Sequence, residues 1–385
     1  MECERVVSRV IEDIRKKGDY ALIYYVGKYD RYEIKDRKLF LKHEEIEDYK
    51  NRIPEDFLIY FKEMKKNIEK FAHRTRLESW EYEDDEVRFG EKVLPVEKLG
   101  VYVPGGKYPL VSSLFMAFVP AKIAGCKEII VATPPYPCDI ILYACAFLGV
   151  EKILLAGGAQ AIAALAIGTE SIPKVDKIVG PGNIYVSTAK KLLFGEIDID
   201  MIAGPTELVI LSEGIMPCEW CVYDLLAQAE HDEFAESILI CTEKEYIRKI
   251  EEFIKNKVIY GKVRFINVKD IDEGIDMLNE IAPEHALIDV REPYRVLDKI
   301  ENCGCVFVGS LTSPSYGDYG SGPNHILPTS KTSRFFSALT VRDFQKAISY
   351  LEVKKKGLVR ARNLAWFFAE KEGLLYHKKS AEVRE

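Results

Sequence analysis

The chain has 385 residues, 48% hydrophobic and 30% charged, with a formal net charge of -7. That length exceeds one ordinary core and leaves room for two large domains with a cleft between them. No apolar run approaches the ~18 residues that span a bilayer, and the acidic balance argues against a basic nucleic-acid-binding face.

The opening, MECERVVSRVIEDIRKKGDY, sets charged against apolar residues at helical spacing and lacks an apolar signal core, so a cytoplasmic location is expected. Residues 1 to about 72 read as mostly helical, and SWEYEDDEVRFGEKVLPV reads as strands and turns. From Gly100 to Gly214 the pattern is strand, glycine turn, helix, repeated. The strands EIIVATPP, EKILLAGG, DKIVGPGN and ELVILSEG are short, mostly unalternating apolar runs, as strands covered on both faces should be. Amphipathic stretches separate them, which implies right-handed crossovers and a parallel sheet. After Gly214 a similar rhythm returns: helix CEWCVYDLLAQAEH, strand SILICT, helix EYIRKIEEFIKNK, strand VRFINV, helix IDEGIDMLNEIA, strand CGCVFVG.

The expected fold is α/β, with two doubly wound, incomplete Rossmann-like domains, one inserted in the other. Residues 102–205 form the inserted domain, 1–101 with 206–339 the discontinuous one, and 340–385 a charged helical tail. The two blocks have the rhythm of distant structural copies. Nine cysteines, an odd number, do not suggest a secreted disulfide framework. Cys126, Cys145 and Cys241 sit among apolar neighbours as small core residues do. Cys218 and Cys221 have the C-x-x-C spacing of half a zinc site or a redox pair, but no second C-x-x-C exists to complete a four-cysteine site, Cys303/Cys305 has the wrong spacing for one, and a structural reading of both pairs is preferred.

Four groups of residues could carry chemistry. In LLAQAEHDEF, Gln228 and His231 share a side of a helix whose opposite stripe is Val222, Leu225, Leu226 and Ala229. Taken alone, this is what a solvated surface helix shows. In IAPEHALI, Glu284 and His285 stand where a helix gives way to a strand, either as an acid/base pair or as an exposed turn. Asp318 and His325 lie in SYGDYGSGPNHILPTS, a loop that could present ligands or only connect elements. Glu372 and His377, in EKEGLLYHKK, share a helix face only if Gly373 interrupts the helix; otherwise they belong to a surface tail. The turns VYVPGGKYP, LAGGAQA and IVGPGNIY follow strands and could meet a phosphate, though none is a GxGxxG fingerprint. His43 and His73 occur in charged helical patterns and are expected to face solvent.

From Val101 onward the sequence resembles the histidinol dehydrogenase family. The resemblance lies in YVPGGKYPLVSSLFMAFVPAKIAGC, GGAQAIAALAIGTESIPKVDKIVGPGN, DLLAQAEH, APEHALI, GDYGSGPNHILPTS and EGLLYH, in that order. The first hundred residues are less diagnostic and the N-terminus is shorter than in many bacterial members, which bears on a subunit interface rather than on the chemistry. The resemblance implies two NAD-dependent oxidations of L-histidinol, through L-histidinaldehyde, to L-histidine, with one zinc per subunit. It implies zinc on Gln228, His231, Asp318 and His377, an acid/base pair of Glu284 and His285, and NAD contacts at Tyr102, Gln160 and Asn183. It implies substrate contacts by Thr206, His325 and Glu372 beside the metal ligands and His285, with Thr206 replacing a serine of the family's GPSE. It also implies a homodimer in which the tail of one subunit reaches its partner's site, with neither nucleic acid nor membrane as partner. Two alternatives remain at this point: a related dehydrogenase of another polyol or amino alcohol, and a zinc hydrolase with Glu284 as general base.

Overall fold

The structure is a computed structural model that describes residues 2–34, 38–105 and 109–384. The chain begins with three helices, α1 (Glu2–Tyr25), kinked at Gly18, α2 (His43–Asn51) and α3 (Glu55–Ala72). A π-helical turn, Val26–Asp30, follows α1. Strands β1 (Trp80–Glu83) and β2 (Val87–Pro95) form an antiparallel hairpin.

The first parallel unit then alternates β3 (Lys98–Tyr102), α4 (Val111–Ala124), β4 (Glu128–Thr133), α5 (Asp139–Leu148), β5 (Lys152–Leu155), α6 (Gly158–Ile167), β6 (Lys177–Val179), α7 (Ile184–Leu193) and β7 (Asp198–Ile199). Its strand order is β5-β4-β3-β6-β7. Residues Ile129 to Thr133 of β4 are all buried, because helices cover the sheet on both faces, and that explains the unbroken apolar run.

The second unit runs β8 (Glu207–Ser212), α8 (Cys218–Ala229), β9 (Glu236–Cys241), α9 (Lys244–Ile254), β10 (Lys262–Asn267), α10 (Ile271–Ile281), β11 (His285–Asp289), α11 (Pro293–Leu297) and β12 (Cys305–Val308). Its order is β10-β9-β8-β11-β12, again all parallel. Counted from the first strand of each unit, both sheets read third, second, first, fourth, fifth. Each therefore reverses direction beside its first strand, between β3 and β6 and between β8 and β11, where open α/β sheets leave a crevice at the carboxyl edge. A short helix α12 (Pro314–Asp318) follows, then β13 (Gln345–Val353), α13 (Leu358–Lys371) and α14 (Leu375–Glu382).

Three features differ from the sequence expectation. Helix α1 packs on α6 and α7, α2 on α5 and α3 on α4, so the N-terminal helices lie mainly against the first unit, with α3 also meeting the loop at Gly320 and Ile326. Helical periodicity shows that α1 has an apolar stripe; it does not show which sheet that stripe covers. The match here is steric, since Val7, Val10, Ile14 and Leu22 share a core with the alanine-rich α6. The first unit's sheet begins at Lys98, because β3 is its central strand. Residues 345–353 are not helical: β13 pairs antiparallel with β2 along nine residues, a partner so distant in sequence that no local pattern announces it. The nine cysteines are free, with Cys126, Cys145 and Cys241 buried as expected. No helix among the described residues is long and apolar enough to cross a membrane.

Candidate active site

A cavity of ≈ 960 Å³ opens between the carboxyl edges of the two units. Its walls include Tyr102, Gln160 and Asn183 from the first unit, and Thr206, His231, Glu284, His285, Asp318 and His325 from the second unit and the loop after it.

The cofactor side is built from strand ends and helix starts. Tyr102 ends β3, and its hydroxyl accepts the Gly158 N–H at 3.0 Å; burial pushes its phenol up to about 12. Gln160, in the first turn of α6, is buried. Asn183 caps α7, its side-chain oxygen accepting Tyr185 N–H at 3.0 Å and Val186 N–H at 3.2 Å. Between them, Gly180 takes φ +116, and a Cβ there would lie 2.1 Å from the Tyr102 carbonyl oxygen, so only glycine lets β6 turn so close to β3. A buried ion pair, Lys190 with Asp200, clamps this turn from beneath: Lys190 Nζ donates to Gly180 O at 3.0 Å and Asp200 Oδ2 accepts Gly180 N–H at 2.7 Å. Removing one partner would strand a buried charge, at a cost of about 3–5 kcal/mol. The glycine turn after β3 is partly outside the described residues, which omit Gly106, Lys107 and Tyr108.

The chemical side centres on β11. Its first residue, His285, is 3% exposed and pairs in register with Leu208 and Cys305 on the neighbouring strands. Glu284, just before it, is buried; its Oε2 accepts the Thr206 hydroxyl and, at 3.1 Å, the Glu207 N–H. Burial raises the Glu284 carboxyl to about 8 against those two hydrogen bonds. Burial, followed by the nearby His325, lowers His285 to about 3, so its ring stays neutral. His285 Nδ1 stands 3.6 Å from Glu284 Oε2 and 3.5 Å from Gln228 Nε2. Its other nitrogen is 3.7 Å from Asp318 Oδ1 and, although buried, has no hydrogen-bond partner among the described residues.

Gln228 is 3% exposed, which overturns its reading as part of a solvated face. The polar side of α8 is covered: Gln228 donates to the Thr206 hydroxyl, and Asp224 accepts from Ser313 at 2.6 Å. His231 lies just beyond the end of α8, in a turn at the cavity wall, and not on the helix itself. Asp318 ends α12, and burial raises its carboxyl to about 6. His325 is fixed at both nitrogens. The Asp318 carbonyl can only accept, so Nδ1–H donates to it at 2.7 Å and Nε2 accepts the Ser113 hydroxyl at 3.0 Å. Enclosure of the ring lowers His325 to about 4.

Glu372 and His377 are not brought to this cavity. Glu372 caps the end of α13 and His377 lies on α14; both are exposed and neither lines the walls. His43 and His73 are exposed, as expected. Sequence reasoning overlooked Ser113, Lys190 and Asp200, and also Glu207, whose buried Oε2 has no partner among the described residues and whose carboxyl burial raises to about 7. The adjacent serines of LVSSLF, in an otherwise apolar helix, were the one readable sign.

Known proteins resolve what this cavity belongs to. The family model for histidinol dehydrogenase matches residues 1–385, including the first hundred. The chain belongs to the histidinol dehydrogenase family. Histidinol dehydrogenase of Neisseria meningitidis serogroup A is 40% identical over 400 residues, covering 100% of this chain and 93% of its own length. That of Listeria monocytogenes serovar 1/2a matches at the same identity and coverage. The crystal structure of histidinol dehydrogenase from Elizabethkingia anophelis superposes with a TM-score of 0.92 at 34% identity, covering 99% of this chain and 91% of that one. The chain is thus an oxidoreductase of a family whose role is histidine biosynthesis, working with a nucleotide and a metal cofactor.

Proposed function

We propose that the chain oxidises L-histidinol through L-histidinaldehyde to L-histidine with two NAD molecules, and that Glu284 and His285 divide the proton transfers. The carrying observation is the position of that pair, adjacent at the start of β11 and facing the same cavity as the glycine turns of the first unit. When bound, the nicotinamide ring accepts hydride and a zinc ion orients the substrate's imidazole and amine.

The chain's own residues supply the rest. His285, kept neutral by burial, offers an unpartnered Nε2 to the alcohol proton, and the imidazolium so formed faces the Asp318 carboxylate. Loss of that proton and of hydride from the same C–O unit makes the aldehyde. Glu284 then takes a proton from the water that adds to it, and the hydrate loses its second hydride and proton to become the acid. Thr206 and the Glu207 N–H hold the Glu284 carboxylate in place for that step.

Zinc fits the donor set. Among the described residues no three His, Cys, Asp or Glu side chains cluster closely enough to hold a metal. Yet Gln228 and Asp318 flank His285, and His231 stands on the same cavity wall. An amide oxygen, a carboxylate and an imidazole are a partial set that one further imidazole would complete. His377 is exposed on a tail whose Leu364, Trp366, Phe367, Phe368 and Leu375 are exposed too, an apolar surface of the kind a second copy of the chain covers. This supports a homodimer in which the tail delivers His377 and Glu372 to the partner's cavity, the acidic Glu372 suiting a cationic amino alcohol. A cytoplasmic enzyme is the consistent setting.

The reading is tested by NADH absorbance on zinc-analysed protein with histidinol and with neutral polyols of similar size. Turnover confined to histidinol supports it. Equal turnover of the polyols would move the chain to another dehydrogenase, and hydrolysis without NADH formation would move it to another class.

A further inference from the structure

In a doubly wound dinucleotide-binding sheet, an acidic side chain about the end of the second strand holds the adenosine ribose and turns away a 2′-phosphate. Here that strand is β4, and it runs out into Thr133, Pro134 and Pro135, with no acid before Asp139 in α5. An acid reaches the same place from another part of the chain. Asp30, the last residue of the π-helical turn after α1, lines the cavity. A methyl group built on Gly157 would lie 2.5 Å from Asp30 Oδ1 and 3.0 Å from Pro134 Cγ, so the carboxylate and the end of β4 flank one point, and residue 157 has no room for a side chain.

The hydrogen bonds around Asp30 show what this point can accept. Its Oδ2 takes the Gly157 N–H and the Gln160 amide, each at 3.0 Å, while the Gly158 N–H goes to Tyr102. Two N–H groups at the start of α6, those of Gly157 and Gly158, are therefore taken, one of them by an anion. A phosphate at this point would meet the Asp30 carboxylate in place of the positive field that a helix N-terminus ordinarily offers. Asp30 Oδ1, by contrast, meets no donor among the described residues, and it is suited to a hydroxyl.

We propose that Asp30 is the cofactor-selecting residue: its carboxylate receives a ribose hydroxyl at Oδ1 and excludes a 2′-phosphate, making the enzyme specific for NAD over NADP. This rests on the reading that the dinucleotide lies in the first unit's crevice.

The test is equilibrium titration of the purified enzyme with NADH and with NADPH, followed by nucleotide fluorescence, for the wild type, Asp30→Asn and Asp30→Ala. Melting curves establish that each variant is folded. Asn183→Asp serves as the crevice control, since aspartate also caps a helix but adds a charge beside the bound nucleotide. The wild type should prefer NADH, and both Asp30 variants should narrow that preference by about tenfold or more, because a like-charge clash is removed. An unchanged preference in the folded Asp30 variants, with NADH binding weakened by Asn183→Asp, would overturn the role of Asp30 alone. If Asn183→Asp also left NADH binding untouched, the crevice reading would fall, and the inference with it.

Discussion

His285 Nε2 lies 3.7 Å from Asp318 Oδ1, buried and without a hydrogen-bond partner among the described residues. A buried imidazole nitrogen left unpaired costs free energy unless something arrives to use it. His285→Asn should therefore lower kcat by about 10²–10⁴-fold, the range for a lost acid/base group, while bound zinc stays near one per chain by elemental analysis. Loss of zinc with activity would show that the imidazole is a ligand instead.

Thr206 should tune the pH profile through Glu284. Its hydroxyl donates to the Glu284 carboxylate and holds that group's pKa down. Thr206→Val removes the donor, so the carboxyl rises further and the limb on which activity grows with pH moves to higher pH. Thr206→Ser keeps the hydroxyl and should leave the limb in place. Rate profiles of aldehyde oxidation for the three proteins decide this; a shift toward lower pH in Thr206→Val would contradict it.

The same carboxyl should make the metal-free protein less stable in mild alkali. Glu284 rises from an ordinary 4.5 to about 8 in the folded chain. Between those values the folded state keeps a proton that the unfolded state has released, so this contribution is full below the lower value and is lost as pH climbs to the upper one. Neutral His285 acts in the opposite sense: lowered to about 3, it removes stability as pH falls below its ordinary 6.5. Glu284→Gln deletes the first effect only. The melting temperature of the wild type minus that of Glu284→Gln should decline from pH 4.5 to 8, and a flat difference would count against a protonated Glu284.

If the tail completes the partner's site, two damaged subunits can make one good site. Mixing His377→Asn with His285→Asn chains should restore activity to roughly the level of one intact site per dimer, since one cavity then receives both native residues. Verified heterodimers without recovery would place His377 in its own subunit's chemistry or outside it.

The glycine turns were legible because their signal is local: an apolar run, a glycine, then a helix start, as at Gly157 and at Asn183. The alternation of strand and helix in the two units was legible as rhythm for the same reason, whereas the strand order they share is set by pairing between distant segments. The burial of Gln228 was not legible from the helix pattern alone, because a polar face opposite an apolar stripe looks the same whether water or another wall covers it, and here Thr206 and His285 do. The pairing of β13 with β2 and the seating of α1 on α6 depend on partners far along the chain, which periodicity does not carry. Glu284 and His285 were visible as an acid beside an imidazole, but their opposite pKa shifts arise from burial that only the folded chain supplies.

The central claim is that one cavity carries an alcohol to an acid through an aldehyde. The most direct measurement is the ratio of NADH produced to histidine formed on purified, metal-analysed protein during a complete turnover of L-histidinol. Two NADH per histidine, with no aldehyde accumulating in solution, is the expected result. One NADH per histidinol consumed, with free aldehyde as the product, would contradict it.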